Sequence, residues 1–221
     1  MDIEVTESGL DAAPSTPRHP LGRRALLGVG LGGAAMSLLP FLSGRASATT
    51  PVEESTTTGV TTPPQRPTDP DVELLAVVQQ VELTALALYN EALALSGWTD
   101  EHAVVITFIR QAHLAYGQSL SGLLGRRAPG VRSEQLFDEL RGDFAGSVES
   151  VLAAAYALEA SLAVTHGEVL AELQGTDAAA LIASIQMNEA RFGTVLADMA
   201  GMTDEADLLV EADAESLAGK V

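Results

Sequence analysis

Apolar residues recur at steps of three and four along four stretches of this chain, which is the period of an amphipathic α-helix. The stretches are Asp71 to about Ser96, about Asp100 to Leu124, about Ser147 to Leu173, and Asp177 to Ala200. β-branched residues never alternate with polar ones over a length that would indicate a strand. The pattern therefore predicts an all-α fold built on four long helices.

The loops between these segments predict how the helices are connected. Short loops join the first segment to the second and the third to the fourth, so each pair should form an antiparallel hairpin. A longer connection, Arg126 to Gly146, separates the two pairs and should cross from one end of the bundle to the other. Residues Glu134 to Leu140 are expected to form a short helix within it. Two hairpins joined by a long crossover are a standard four-helix arrangement.

Each predicted helix carries an ionisable residue inside its apolar stripe. An unpaired charge that is buried in an apolar core is very costly. We therefore expect these groups to meet inside the bundle, where they either compensate one another or hold a metal ion. The residues are Glu82 in the first helix, Arg110 and His113 in the second, Glu159 in the third and Glu189 in the fourth.

The order and spacing of these residues resemble the ferritin-like family, and the resemblance covers Asp71 to Gly201. In ferritin-like di-metal proteins two helices each give one Glu, and the other two each give Glu-x-x-His. Glu82 with Tyr89, and Glu159 with His166, stand where the single-Glu helices would be. The Glu-x-x-His positions are occupied by Arg110-Gln111-Ala112-His113 and by Glu189-Ala190-Arg191-Phe192. The resemblance implies a four-helix bundle with a two-metal site, and it is closest to exported bacterial members of the family.

Two of the six ligands that the resemblance implies are missing. Arg110 replaces a Glu, and Phe192 replaces a His. An arginine has no lone pair to give to a metal. Its guanidinium can instead supply some of the positive charge that a metal would have brought. The site is therefore interpreted as a degenerate form of the family's di-iron motif.

Three interpretations of this incomplete site stay open. In the first, no metal binds and Arg110 pairs with the buried carboxylates. In the second, one iron, manganese or zinc ion is held by three carboxylates and one imidazole, a ligand set that suits those ions. Its ligands are Glu82, His113, Glu159 and Glu189. In the third, two ions bind and His166 replaces a missing ligand.

The altered site favours a non-catalytic binding or structural module of the cell envelope, without a metal cofactor, over an enzyme. The alternative is a metal-binding oxidoreductase with ferroxidase-type or peroxide-type chemistry. The formal net charge of −18 argues against nucleic acid as a partner. A homodimer or an envelope protein is the expected partner. The chain has no Cys, which excludes disulfides and thiolate metal sites.

The first 48 residues are predicted to be an export signal. Arg23 and Arg24 precede a weakly apolar, Gly- and Ala-rich run, and Ala46-Ser47-Ala48 follows it as a small-residue cleavage site. The paired arginines resemble a twin-arginine leader. We therefore expect an extracytoplasmic protein with no stable membrane anchor after cleavage. Residues 49–70 are predicted to be a Thr- and Pro-rich disordered linker, residues 71–201 the bundle, and residues 202–221 an acidic tail.

Overall fold

A computed structural model of the protein describes residues 62–202 and 213–221. These two ranges contain five α-helices and no β-strand. The helices are α1 (Asp69–Ala94), α2 (Asp100–Leu124), α3 (Glu134–Leu140), α4 (Val148–Glu172) and α5 (Thr176–Met199). The all-α prediction is confirmed, because the four long segments match α1, α2, α4 and α5. The short helix expected within the crossover is α3.

Polar residues at the helix starts explain why the helices begin where they do. Thr68 and Asp71 form a capping box at the start of α1, in which each side chain accepts the other residue's backbone N–H. Thr99 and Ser147 are simple N-caps of α2 and α4, because each side chain accepts a backbone N–H from the first turn of its helix. Gly97, with φ of +102°, provides the left-handed turn between α1 and α2.

The helices pack as two hairpins. We call α1 with α2 the first hairpin and α4 with α5 the second hairpin, and within each the two helices pack along their length. The crossover lies over α1 and α4, through α3 and through a 3-10 turn at Asp143–Ala145. Phe144 in that turn is buried and meets the ring of Tyr89 edge-on, with centroids 6.0 Å apart. The crossover therefore covers the groove between the two hairpins.

Both described ends of the chain also pack on the bundle. The carbonyl oxygens of Pro64 and Gln65 accept hydrogen bonds from Thr176 and Asp177, each at 3.0 Å. Structure that is held to the bundle therefore begins before residue 71, inside the segment predicted as linker. Any residue can make such backbone contacts, so the Thr- and Pro-rich composition gave no sign of them.

The last residues contact the second hairpin. Leu217 is buried, and its N–H donates to Thr165 Oγ1 at 2.8 Å. Lys220 forms an ion pair with Glu139 of α3 at 2.8 Å. The buried side chain of Leu217 therefore helps to hold residues 213–221 against the bundle.

Two helices of the described part, α1 and α4, are long and apolar enough to cross a membrane by composition alone. Both lie in this bundle and contribute much of its core, which is the usual reason for such a composition in a bundle helix. The predicted leader residues Arg23, Arg24, Ala46 and Ala48 lie outside the described residues.

Candidate metal-binding site

The four long helices bring three glutamates and two histidines together in the interior of the bundle. All five side chains are fully buried, at 0% exposure. We call them the Glu–His cluster: Glu82 from α1, His113 from α2, Glu159 and His166 from α4, and Glu189 from α5. The three glutamates and His113 lie near the middle of their helices and His166 lies two turns after Glu159, so apolar turns on both sides keep water out.

Carboxylates and imidazoles alternate through the Glu–His cluster. His113 Nδ1 lies 2.8 Å from Glu82 Oε2, and its Nε2 lies 3.1 Å from Glu159 Oε1. His166 Nε2 lies 3.1 Å from Glu82 Oε1, and its Nδ1 lies 2.9 Å from Glu189 Oε2. Each imidazole therefore lies between two carboxylates, and Glu82 contacts both imidazoles.

Two tyrosines border the cluster on the side of His113. Tyr89 donates its hydroxyl hydrogen to Glu159 Oε1 at 2.5 Å, and its ring stacks on His113 with centroids 5.3 Å apart. Tyr116 meets His113 edge-on at 5.9 Å, and its hydroxyl lies beside the side chain of Asn188 of α5. Burial and the neighbouring carboxylates raise the pKa of both tyrosine hydroxyls. Both phenols therefore stay protonated and can donate.

The cluster holds protons when no other cation is present. Burial lowers the pKa of His113, but the neighbouring Glu159 and Glu82 outweigh it and raise that pKa to about 10. The pKa of His166 is also raised, because Glu189 and Glu82 outweigh its burial. Burial raises the pKa of Glu82, yet contacts with both imidazoles lower it to about 2. Burial raises the pKa of Glu189 to about 8, since the attraction of His166 only partly offsets it.

The hydrogen bonding of the cluster is incomplete. Five buried side-chain polar atoms in the described part of the chain have no hydrogen-bond partner, and all five belong to the Glu–His cluster. They are Glu82 Oε1, Glu159 Oε2, His166 Nε2 and both carboxylate oxygens of Glu189. A buried polar atom without a partner costs roughly 1–3 kcal/mol. The short contacts of His166 with Glu82 and Glu189 are therefore ion-pair distances without hydrogen-bond alignment.

These residues fit a divalent transition metal. Glu82, His113 and Glu189 each offer one ligand atom, and the three atoms lie within 4.8 Å of one another. Carboxylate and imidazole donors suit manganese, iron and zinc. A metal ion would also give the partnerless oxygens and nitrogen a partner that does not need hydrogen-bond alignment.

The prediction that Arg110 compensates the buried carboxylates is wrong. Arg110 is half-buried, and its Nε donates to Asn90 Oδ1 at 2.8 Å between α1 and α2. Although it precedes His113 by only three residues and so shares that face of α2, its side chain leaves the apolar stripe for Asn90 of α1. At the edge of the apolar stripe the long side chain reaches a solvated acceptor, which spares the cost of burying a guanidinium.

The structure brings together the other candidate residues from the sequence. The four first-choice residues Glu82, His113, Glu159 and Glu189 meet, and the secondary candidates His166 and Tyr89 join them. Phe192 packs edge-on against Phe108 at 6.0 Å and has a core role.

Tyr116 and Asn188 were missed by the sequence reasoning. Tyr116 follows His113 by three residues, which places it on the same face of α2. Asn188 directly precedes Glu189. The helix period could therefore have indicated Tyr116, whereas nothing in the pattern distinguished Asn188 from a solvated polar residue.

Fold and site together define a helical bundle with a carboxylate–imidazole cluster between its long helices. The family model described as the ferritin-like domain matches residues 70–202. The chain therefore belongs to the ferritin-like domain family, which confirms the resemblance found in the sequence. Neither the curated proteins nor the solved structures gave a match to this chain.

Proposed function

We propose that this ferritin-like domain binds a divalent transition metal, namely iron, manganese or zinc, in the Glu–His cluster. The observation that carries the proposal is the set of five partnerless buried atoms, all of them metal-ligand types in one cluster. The sequence had favoured a metal-free module because Arg110 was expected to neutralise the carboxylates. Since Arg110 pairs with Asn90 instead, that argument no longer applies.

The chain's own residues supply the charge and the exclusion of water. Glu82, Glu159 and Glu189 offer negative charge, and an imidazole completes the donor set. A bound iron or manganese ion would supply one-electron redox chemistry, and zinc would supply Lewis acidity. Tyr89 and Tyr116 hold phenolic protons beside the cluster, where they can donate to an acceptor atom.

Metal uptake should release protons from the same residues. The pKa of Glu189 is raised to about 8 and that of His166 is also raised, so both residues hold a proton at neutral pH without metal. Ligands must give up their protons before they bind a metal. Binding at neutral pH should therefore liberate protons and become weaker as the pH falls.

The first experiment is elemental analysis of the exported protein, purified without chelator. We expect a stoichiometric transition metal, and we expect Glu189→Gln to remove most of it. Glu168→Gln is the matched control, because Glu168 is exposed on the adjacent helix α4. A protein that carries only trace metal and takes up none from Fe(II), Mn(II) or Zn(II) would overturn the proposal.

A second candidate is the metal-free binding or structural module of the cell envelope. It is favoured by the alternation of imidazoles and carboxylates, in which protonated His113 and His166 can offset the charges of the glutamates without a metal. The same elemental analysis decides between the two, because this module needs no metal for folding or partner binding. A homodimer or an envelope partner stays a prediction under either candidate.

We also propose that the domain works outside the cytoplasm. The support is the sequence of residues 1–48, in which paired arginines precede an apolar run and an Ala-Ser-Ala cleavage site. Replacing Arg23 and Arg24 by lysine should hold the protein in the cytoplasm and keep its N-terminus intact. Mass spectrometry of the exported protein should give an N-terminus at Thr49. Export of the uncleaved chain would contradict this proposal without affecting the metal site.

A further inference from the structure

The two histidines of the Glu–His cluster differ in how their ring nitrogens are engaged. His166 Nδ1 lies 2.7 Å from the carbonyl oxygen of Leu162, one turn earlier on α4. A carbonyl oxygen can only accept, so this bond makes Nδ1 the donor and leaves Nε2 as the nitrogen for a ligand. Histidines that ligate metals commonly donate their other N–H to a backbone carbonyl in this way.

The remaining nitrogen of His166 faces an oxygen that is also free. Its Nε2 has no hydrogen-bond partner and lies 3.1 Å from Glu82 Oε1, which has none either. Two ligand atoms that are each about 2.1 Å from one ion, at a right angle, would be about 3.0 Å apart. The observed separation therefore suits two ligand atoms of one cation.

His113 has no such free nitrogen. Its Nδ1 is hydrogen-bonded to Glu82 Oε2 and its Nε2 to Glu159 Oε1. Tyr89 stacks on one face of the ring and Tyr116 meets it edge-on, so the ring is held between them. His113 lies within ligand distance of Glu82 and Glu189, but to ligate a metal it would have to break one of its two hydrogen bonds.

We infer that His166, and not the His113 that stands at the family's histidine position, is the imidazole ligand of the bound metal. His113 is a positioning residue that orients the carboxylates of Glu82 and Glu159 through its two nitrogens. The inference rests on the proposed metal binding and assigns to His166 a ligand role that the family's Glu-x-x-His pattern does not contain.

The test is ¹⁵N NMR of the full chain labelled at histidine, with Zn(II) as the probe. The chain has four histidines, and His102, in the first turn of α2, serves as an internal reference outside the cluster. Long-range proton–nitrogen correlations identify which ring nitrogens carry a proton and which bind zinc. We expect one histidine to show a protonated Nδ1 and a zinc-bound Nε2, and the spectrum of His166→Gln to lose that pattern.

The matched variant is His113→Gln, which should keep the zinc-bound pattern. Its affinity for zinc should fall by about 10–100-fold, as is typical when a partner of a ligand is removed. His166→Gln should lower the affinity by a larger factor. A zinc-bound pattern that disappears in His113→Gln instead would overturn the inference.

If a variant fails to fold, the spectrum of the wild-type protein alone still tests the inference. Two zinc-bound histidines would show that His113 is also a ligand and would overturn it, while the proposed function would stand. No zinc uptake, and no change at any histidine, would overturn both the inference and the proposed function.

Discussion

The two hairpins contribute differently to the Glu–His cluster. In the first hairpin, His113 has both nitrogens hydrogen-bonded, and Glu82 has one free oxygen. The second hairpin contributes four of the five partnerless atoms, from Glu159, His166 and Glu189. A cation stabilises a buried polar atom that has no other partner. We therefore expect the stability of the second hairpin to depend on a bound metal more than that of the first. The first hairpin should stabilise the fold whether or not a metal is bound.

The largest expected effect tests the structural role of the first hairpin. Glu82→Ala removes the carboxylate that contacts both imidazoles, and breaking a buried ion pair in this way costs about 3–5 kcal/mol. We expect that loss in the free energy of unfolding of chelator-treated protein, measured by urea denaturation. Glu73→Ala, at an exposed position of the same helix, is the control and should change little. A loss confined to metal-loaded protein would show that the first hairpin also depends on the metal.

Metal binding should stabilise the protein more as the pH rises. In the metal-free protein, the stabilisation from His113 is fully present below its usual pKa of 6.5 and is lost as the pH rises through about 10. Glu189 keeps its proton up to about pH 8 in the folded state but loses it above about 4.5 when unfolded, so its contribution also falls with rising pH. Glu82 acts oppositely, with stabilisation that is present above 4.5 and lost as the pH falls through about 2.

The metal-free domain should therefore be most stable in the mildly acidic range and become less stable on both sides of it. Zinc at about 100 times its dissociation constant should add about 2.7 kcal/mol. The difference in melting temperature between zinc-loaded and chelator-treated protein should widen from pH 5 to pH 9, which thermal unfolding monitored by circular dichroism can measure. A difference that shrinks over this range would contradict the proposed exchange of protons for metal.

Glu189→Gln should separate metal binding from stability in the second hairpin. Because neither oxygen of Glu189 has a hydrogen-bond partner, the metal-free variant should unfold with a free energy close to that of the wild type in mild acid. Near pH 9, where the wild type must bury the ionised carboxylate, the variant should be more stable by about 1 kcal/mol or more. Added zinc should no longer raise its melting temperature. A variant that is destabilised at every pH would indicate that Glu189 has a structural role as well.

The helices were predictable because their signals are local. The period of apolar residues determined the four long helices, and the capping residues Thr68, Thr99 and Ser147 stand beside their starts. The convergence of the glutamates was predictable for the same reason, since each charge lies within one helix's apolar stripe. What joins distant parts of the chain was not predictable, such as the buried contact of Leu217 with Thr165.

The choice between partners within the site also could not be derived from the sequence. His166 and Arg110 were both plausible occupants of the cluster, because each lies on or near an apolar face. The outcome depends on distances of a few ångströms, such as the reach of His166 Nδ1 to the carbonyl of Leu162. It also depends on Asn90 of α1, whose side-chain oxygen accepts a hydrogen bond from Arg110 near the surface.

The smallest expected effect on the free energy of unfolding is that of Arg110→Ala, which the sequence predicted to be large. If Arg110 compensated the buried carboxylates, Arg110→Ala would leave a buried charge unpaired and cost about 3–5 kcal/mol. Since Arg110 is bound to Asn90 near the surface, we expect the substitution to change the free energy of unfolding by no more than about 0.5 kcal/mol. Metal content should also stay at the wild-type level, as measured by elemental analysis. A loss of several kcal/mol would show that the guanidinium neutralises the Glu–His cluster after all, and the metal-free module would again be the favoured candidate.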